Sequence, residues 1–211
     1  MTETPWSAAP HRARRFVRAD ALPAAFYARP ADVVARELLG RLVVREADGV
    51  RCSAEIVETE AYVGPHDEAS HAHERFGRTA RNTVMFGPPG IAYVYLIYGM
   101  HSCLNAVTGG EGFPAAVLLR AARAVDGVEQ IRGRRPGRPD RELLRGPGNL
   151  CRALDVDRAL NGHPLDRAPL WIEAGDPVPD REVMVGPRVG ISRAVDWPLR
   201  FRVRGSPYVT G

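Results

Sequence analysis

Residues 54–62 read Ala-Glu-Ile-Val-Glu-Thr-Glu-Ala-Tyr, and in a β-strand their side chains would alternate between two faces. Ile56, Glu58, Glu60 and Tyr62 would then share one face. Such a face is unfavourable in an ordinary strand, because glutamate is depleted there and like charges repel. It suits an active site, in which a carboxylate transfers a proton and a flat ring stacks on a flat substrate. A solvated outer strand with exposed glutamates is the alternative interpretation.

Apolar runs and turn residues along the rest of the chain predict a mixture of strands and short helices in one domain. Pro30 begins a predicted helix over residues 31–39 that ends at Gly40. Residues 63–90 are predicted to be a long functional loop, and the arginine-rich residues 131–141 to be mobile. The remaining predicted elements are strands at Leu42–Arg45, Arg51–Tyr62, Ile91–Tyr98, Ser102–Thr108, Ala115–Ala122, Leu170–Glu173 and Leu199–Arg204, and a helix from Pro147 to Leu154.

The bulk composition is that of a globular protein. The chain has 211 residues, 45% of them hydrophobic and 26% charged, which is enough for one substantial core. No run of 18 apolar residues predicts a membrane span, and the first residues lack the apolar stretch of a secretory signal. The three cysteines are scattered without CxxC spacing, which favours a reducing compartment. We therefore expect a cytoplasmic, monomeric protein.

Arginine supplies all the positive side-chain charge, because the chain contains no lysine. The net charge is only +4, so charge alone is weak evidence for a nucleic-acid partner. Guanidinium groups nevertheless bind phosphates bidentately. Residues 1–20 contain Arg12, Arg14, Arg15 and Arg18, and we interpret them as a flexible basic arm that is either a solvated tail or a non-specific phosphate contact.

Four tyrosines are candidates for contact with nucleobases. Tyr93 and Tyr95 share a strand face, and one of them could form a slot for a planar base together with Tyr62. Stacking of a base on an aromatic ring is worth about 1–3 kcal/mol. Tyr98 lies at a predicted hairpin tip beside Gly99, where it could wedge between base pairs from the minor groove. Ordinary packing in the core and sheet is the alternative.

Several ordered motifs resemble those of the alkyladenine (3-methyladenine) DNA glycosylase family, and together they span about residues 31 to 208. They are Val57–Pro65, Asp67–His71, Arg81-Asn82, Met85-Phe86, Pro89-Gly90, Tyr93–Met100, Asn105, Val117–Ala121, Arg145–Cys151 and Val203–Pro207.

The resemblance implies a fold and a function. The implied fold is α+β, a single mixed domain over residues 21–211 with a curved antiparallel sheet, surrounding helices and a protruding β-hairpin that inserts into DNA. The implied activity is monofunctional excision of damaged purines from double-stranded DNA approached through the minor groove, with alkylated purines as the main substrates and deaminated or etheno purines as further candidates. No cofactor and no metal are implied.

The resemblance also implies residue roles. Glu60 corresponds to the general base that activates water, and Arg120 to its neighbour that helps to hold the water and the carboxylate. Tyr98 corresponds to the side chain that fills the gap left by the flipped nucleotide. The implied walls of the base pocket are Tyr62, His71, Tyr95 and Asn105, with the Asn105 amide disfavouring the exocyclic amino group of guanine. We further expect Arg78, Arg81 and Met100 to contact the DNA backbone.

The chemistry is consistent with these roles. Breaking an N-glycosidic bond creates a cationic sugar, and one carboxylate can both deprotonate water and stabilise that charge. Alkylation at N3 or N7 makes a purine cationic, so it leaves easily and is attracted to an electron-rich slot. The absence of lysine removes the usual Schiff-base amine of bifunctional enzymes, which predicts that no strand cleavage follows.

Three alternatives remain open on the sequence. A metallohydrolase could use His71, His73, Glu58 and Glu60 as ligands, although no further metal motif accompanies them. A non-enzymatic minor-groove binder could use Tyr98 as a wedge. Arg120 could also be a purely structural partner of Glu58, because strand alternation alone does not separate Glu58 from Glu60.

Overall fold

The computed structural model describes residues 21–211, which form one α+β domain with a curled antiparallel sheet, as expected. Within these residues the strands are β1 (Leu42–Ala47), β2 (Val50–Tyr62), β3 (Ala92–Ile97), β4 (His101–Thr108), β5 (Ala115–Asp126), β6 (Asp166–Arg167), β7 (Leu170–Glu173), β8 (Val183–Gly186) and β9 (Arg200–Val203). The α-helices are α1 (Ala24–Tyr27), α2 (Ala31–Glu37), α3 (Val128–Arg134) and α4 (Pro147–Ala153).

The 13-residue strand β2 is the axis of the sheet. The strand order is β3-β4-β5-β2-β1-β7-β6, and every pair is antiparallel. Along one edge β2 pairs with β5; along the other it pairs first with β1 and then, from Glu58 to Glu60, with β9. The first half of β2 therefore lies between β5 and β1, and the segment from Glu58 to Glu60 lies between β5 and β9.

Two bulges interrupt the pairing of β2 with β5 beside the glutamates. Ile56 pairs with Ala122 and Glu58 with Ala121, which leaves Val57 as an extra residue on β2. Thr59 then pairs with Leu119, which leaves Arg120 as an extra residue on β5. Bulges bend strands and change the direction of side chains, and they are common next to active sites.

Helix α2 packs against the sheet beside these glutamates. Val34, Ala35 and Leu38 of the α2 segment are fully buried in the core, and the hydroxyl of Thr59 on β2 donates to the carbonyl of Ala35 at 2.8 Å. Helix α2 ends before Gly40, whose φ is +83° and whose added Cβ would lie 2.0 Å from the carbonyl oxygen of Asp176. Only glycine fits this approach between the chain after α2 and the chain after β7.

Most predicted elements are confirmed, and the remaining differences have physical causes. Strand Leu170–Glu173 and the helix that begins at Pro147 are found as predicted, and residues 63–90 are irregular apart from a 3₁₀ turn at Thr83–Phe86. The prediction of a mobile segment at 131–141 is wrong, because α3 covers its first half and buries Ile131 completely. The predicted basic arm lies outside the described residues.

None of the helices within residues 21–211 is long and apolar enough to cross a membrane.

Candidate active site

Four adjacent strands, β2, β5, β4 and β3, form the floor of a cavity of about 790 Å³. Their pairing places side chains in a row across the sheet: Glu60 lies opposite Leu118, Leu118 opposite Asn105, and Asn105 opposite Tyr93. The loop over residues 68–82 and the segment over residues 189–193 close the sides of the cavity. Six predicted site residues line it together, namely Tyr62, His71, Arg81, Tyr95, Asn105 and Arg120, and Tyr98 lies at its rim.

Glu60 is fully buried directly behind the cavity wall rather than on it. Its Oε1 accepts the main-chain N–H of Val189 at 2.7 Å, and its Oε2 accepts the hydroxyl of Tyr62 at 3.1 Å. Arg120 Nη1 lies 3.3 Å from the same Oε2. All three of these neighbours are on the cavity wall, so the carboxyl group is separated from the cavity by a single layer of side chains.

Burial raises the pKa of Glu60 above the usual range for a glutamate. The charge of Arg120 and the hydrogen bonds from Val189 and Tyr62 act in the opposite direction and lower it, while the charge of Glu58 raises it further. The carboxyl group is thus more basic than an ordinary glutamate, a property that general bases require.

Glu58 has a different environment from Glu60, although both contact Arg120. Its Oε1 accepts Arg120 Nε at 3.0 Å, Arg200 Nε at 2.7 Å and the Thr210 hydroxyl at 2.7 Å. Its Oε2 accepts the main-chain N–H of Thr210 at 2.6 Å. Apart from the shared Arg120, Glu58 is therefore bound by Arg200 and Thr210 near the end of the chain, whereas Glu60 is bound by Tyr62 and Val189 on the cavity wall.

Tyr62 has two partners, one at its hydroxyl and one at its ring. Its hydroxyl is bound to Glu60, and the guanidinium of Arg188 lies 4.8 Å from its ring centroid. Arg188 in turn forms two hydrogen bonds with Asp67, at 2.5 and 2.8 Å, and both side chains are fully buried. Tyr62 therefore contacts Glu60 through its hydroxyl and Arg188 through its ring.

Another part of the cavity wall is formed by His71, Tyr93 and Tyr95. The rings of His71 and Tyr95 meet edge to face at 4.5 Å, and His71 Nδ1 lies 3.1 Å from the Tyr93 hydroxyl. Burial, helped by the nearby charge of Arg81, lowers the pKa of His71 to about 4, so its imidazole is neutral at pH 7. Of the two tyrosines considered for the slot, Tyr93 is 1% exposed and its hydroxyl is engaged by His71. Both tyrosines line the cavity, and Tyr95 is the more exposed of the two.

Asn105 is fixed on the floor by its side-chain amide. Its Nδ2 donates to the carbonyl of Tyr93 at 3.0 Å and to that of Cys103 at 3.5 Å. With both amide hydrogens used by the main chain, Oδ1 is the atom left for a ligand. This orientation does not present an amide N–H to a bound base, so any exclusion of guanine by Asn105 would act through the space its side chain occupies.

The β3–β4 connection presents Tyr98 to solvent. The two strands pair from Ala92 with Ala106 to Ile97 with His101, and Tyr98 and Gly99 both have positive φ, as in a type I′ turn. Tyr98 is 84% exposed and Met100 is 70% exposed. Both side chains are available to contact a macromolecule.

The two arginines predicted to contact DNA are exposed but not free. Arg78 Nε donates to the Thr83 hydroxyl at 2.8 Å, and its guanidinium lies 5.3 Å from the Phe86 ring centroid. The Arg81 guanidinium lies 5.3 Å from the Tyr95 ring centroid and also lines the cavity. The predicted backbone contacts of these arginines and of Met100 remain predictions.

Sequence reasoning missed the residues that hold the glutamates in place. Arg188, Val189, Arg200 and Thr210 contact Glu58, Glu60 or Tyr62 from more than 120 residues away along the chain. Asp67 was noted in the sequence only as the first residue of the family-like motif Asp67–His71. No local pattern identifies partners at such a separation.

The alternative metal site does not form a coordination group. Within residues 21–211 there is no cluster of three or more His, Cys, Asp or Glu side chains suited to holding a metal ion. His71 Nδ1 instead faces Tyr93, and both glutamates face arginines.

Comparisons with known proteins agree with the resemblance noted in the sequence. A family model described as methylpurine-DNA glycosylase (MPG) matches residues 25–207. A protein of Anaeromyxobacter dehalogenans is 52% identical over 193 residues, which cover 90% of this chain and 85% of the relative. Proteins of Myxococcus xanthus (52%, covering 90% and 93%) and Carboxydothermus hydrogenoformans (47%, covering 90% and 98%) are similar over the same length. All three bear the name "putative 3-methyladenine DNA glycosylase".

Proposed function

The chain belongs to the methylpurine-DNA glycosylase family, and from that premise we propose that it hydrolyses the N-glycosidic bond of damaged purines with a water activated by Glu60. Members of this family are DNA glycosylases that remove alkylated bases in DNA repair, and this chain is one of them. The observation that carries the finer proposal is the position of Glu60, a buried carboxyl with a raised pKa immediately behind an aromatic cavity.

Glu60 suits the role of general base better than Glu58 does. Each carboxylate oxygen can accept about two hydrogen bonds, and Oε1 of Glu60 accepts only one from the described residues, the N–H of Val189. A water could bind at the remaining position. Glu58 is occupied by four donors from Arg120, Arg200 and Thr210. Its contribution is to keep Arg120 in place.

Water must reach Glu60 for this chemistry to occur. The carboxyl group is covered by Tyr62, Arg120 and Val189. Of these three, the Tyr62 hydroxyl is bound to the carboxylate by one hydrogen bond from an uncharged side chain, so it is the easiest to displace. We infer that a base entering the cavity displaces the Tyr62 hydroxyl from Oε2 and opens a path for one water. The same displacement removes a bond that lowers the Glu60 pKa, which makes the base stronger when substrate is present.

Recognition of the base is assigned to the cavity walls. A purine between Tyr62 and Tyr95 would gain about 1–3 kcal/mol from stacking, and a cationic alkylated purine would gain cation–π attraction in addition. The neutral imidazole of His71 favours such a cation, because a protonated histidine would repel it. If the Tyr93 hydroxyl donates to Nδ1, Nε2–H of His71 remains as a donor toward the flipped nucleotide.

Lesions that already carry a positive charge are the best candidates for substrates. They leave without protonation, and neutral His71 cannot act as an acid at pH 7. The chain also lacks the lysine with which bifunctional glycosylases form a Schiff base, so we propose that the reaction ends at the abasic site. The N-terminal amine is the remaining aliphatic amine.

The proposed partner is double-stranded DNA approached from the minor groove by one copy of the protein in the cytoplasm. Exposed Tyr98 at the β3–β4 connection would enter the space left by the flipped nucleotide, with Met100 beside it. Damaged and mispaired bases cost less energy to flip, which adds selectivity.

The proposal is tested by measuring free bases released from duplexes that each contain one alkylated, etheno or deaminated purine. We expect release of 3-methyladenine and 7-methylguanine, at an unchanged rate in the presence of a strong chelator. Tight lesion binding without any released base would instead support the non-enzymatic minor-groove binder, and loss of activity in chelator would support a metal-dependent hydrolase.

A further inference from the structure

The buried pair of Asp67 and Arg188 lies outside the cavity, yet Arg188 adjoins two of the three groups that bind Glu60. Arg188 immediately precedes Val189, whose N–H donates to Glu60 Oε1 at 2.7 Å. Its guanidinium also lies 4.8 Å from the ring centroid of Tyr62, whose hydroxyl donates to Oε2. Both oxygens of the carboxyl group are therefore bound by partners that this arginine holds.

The pair is fixed from several directions. The Asp67 carboxylate accepts hydrogen bonds from both terminal nitrogens of Arg188. It also accepts hydrogen bonds from the main-chain N–H of Val63 at 3.2 Å and of Ala69 at 3.1 Å. Arg188 Nη1 additionally donates to the carbonyl of Ala61 at 2.9 Å, on the strand between Glu60 and Tyr62. The pair thus joins the end of β2, the loop that follows it and the segment at Val189.

Stability alone is a weak explanation for an ion pair in this position. Both side chains are fully buried, and Arg188 Nε has no hydrogen-bond partner among residues 21–211. Desolvation of two charges commonly offsets their attraction, and apolar residues of similar size often stabilise a fold as well or better. A function in placing neighbouring groups explains why charged residues occupy the site.

We propose that Asp67 and Arg188 are positioning residues for excision, and that they set the orientation of the Glu60 carboxyl through Val189 and Tyr62. This inference rests on the proposed role of Glu60 as the base. A displacement of about 1 Å in a reacting group can lower a rate by roughly 100-fold, so a small shift of the Val189 segment is sufficient to matter.

The pH dependence of excision distinguishes positioning from general support of the fold. The N–H of Val189 lowers the pKa of Glu60, so loss of this bond raises that pKa and moves the acidic limb of the rate profile to higher pH. The other groups that act on the carboxyl are Arg120 from β5 and Glu58 and Tyr62 from β2. Two further charged residues lie nearby: Arg200 of β9 pairs with Glu60 through the main chain and binds Glu58, and Arg188 lies against the Tyr62 ring.

The test compares two variants with a matched control. The double variant Asp67→Asn/Arg188→Met removes both charges, so neither is left buried and unpaired. Arg188→Lys keeps the charge but loses the planar fork that binds Asp67 and Ala61 together. The control is Arg51→Met/Glu173→Gln, which removes a pair with a 2.7 Å contact at the other end of β2, about 30 Å along the strand from Glu60.

Single-turnover release of 7-methylguanine from a duplex oligonucleotide is measured from pH 5 to 9 for each variant, together with the melting temperature. We expect the Asp67/Arg188 double variant to react about 10- to 100-fold more slowly, with its acidic limb at higher pH, and Arg188→Lys to change in the same direction. The control variant should keep the wild-type rate and profile. Wild-type kinetics in folded Arg188→Lys, or a slower rate with an unmoved limb, would overturn the proposal.

Glu60→Gln in the same assay separates this inference from the function on which it rests. If Glu60→Gln is inactive while the Arg188 variants match wild type, only the positioning role fails. If Glu60→Gln is fully active, the assignment of the base itself fails.

Discussion

Glu58 and Glu60 lie two residues apart on β2 and share one guanidinium, with Arg120 Nε 3.0 Å from Glu58 and Arg120 Nη1 3.3 Å from Glu60. Their other partners divide them into two roles. Glu58 neutralises Arg200 as well and binds the main chain and hydroxyl of Thr210, whereas Glu60 is bound by groups on the cavity wall. Two similar residues on one strand face are thus a structural anchor and a candidate base.

This division predicts unequal effects on stability for two equivalent substitutions. Glu58→Gln leaves Arg120 and Arg200 with less compensation in a buried site, and we expect a loss of about 3–5 kcal/mol in the free energy of unfolding. Glu60→Gln removes a buried carboxylate with a raised pKa and leaves Arg120 paired with Glu58, so its stability should change by less than about 1 kcal/mol. Urea denaturation at pH 7 measures both. Equal losses would contradict the division.

His71 predicts a particular dependence of stability on pH. Its folded-state pKa is lowered to about 4 by burial, while the ordinary value is 6.5, so the unfolded chain binds a proton that the folded chain does not. Stability should therefore fall as the pH decreases from about 6.5 to 4, by up to about 3 kcal/mol before allowance for partial exposure.

The pH series of melting temperatures for wild type and His71→Gln isolates this contribution. The variant should lose less stability than wild type over the same interval, and an NMR titration of wild type should show no protonation of His71 at pH 6. A titration near pH 6.5 would contradict a buried, neutral imidazole.

These results also show which parts of the molecule are encoded locally. Alternation along residues 54–62 is enough to predict that Glu58, Glu60 and Tyr62 share a face, and the Tyr-Gly pair is enough to place Tyr98 at a turn. Neighbouring residues determine both features. The distinct surroundings of Glu58 and Glu60 are not predictable in this way, because Arg200 and Thr210 lie 142 and 152 residues away from Glu58.

Charge composition was a misleading guide for residues 131–141. The arginines and prolines there suggested a mobile segment, but Ile131 is buried in the core and Arg132 pairs with Glu129 and Asp140. One apolar residue at the correct position on α3 outweighs several polar neighbours, because burial of its side chain contributes about 1.5–3 kcal/mol.

Tyr98 should contribute to binding of damaged DNA without supporting the fold. Its ring is 84% exposed and its φ is +52°, a conformation that glycine adopts without strain. We expect Tyr98→Gly to keep the wild-type melting temperature within about 2 °C. Affinity should fall about 10-fold or more, as loss of one stacking contact implies, for a lesion duplex with a 2′-fluoro sugar that resists cleavage.

Met100→Ala is the matched control for this effect, since Met100 is also exposed and lies two residues away. It should weaken binding less than Tyr98→Gly does. Unchanged affinity of Tyr98→Gly would show that this tyrosine does not enter the DNA.

The lysine-free sequence predicts that purified protein leaves the DNA backbone intact. Reaction products on a lesion duplex should appear as cut strands only after heating in alkali, and borohydride should trap no covalent complex. A trapped complex that disappears when the N-terminal amine is acetylated would contradict the proposal of a monofunctional enzyme and identify that amine as the nucleophile.

The most direct test of the account is single-turnover excision of 7-methylguanine from duplex DNA by Glu60→Gln, with binding of the 2′-fluoro lesion duplex measured on the same preparation. Loss of a general base and of its charge predicts a rate at least about 100- to 1,000-fold below wild type. Lesion affinity should stay within about threefold of wild type, because Glu60 lies behind the cavity wall. Release of base by this variant at the wild-type rate would contradict the assignment of Glu60 as the catalytic base.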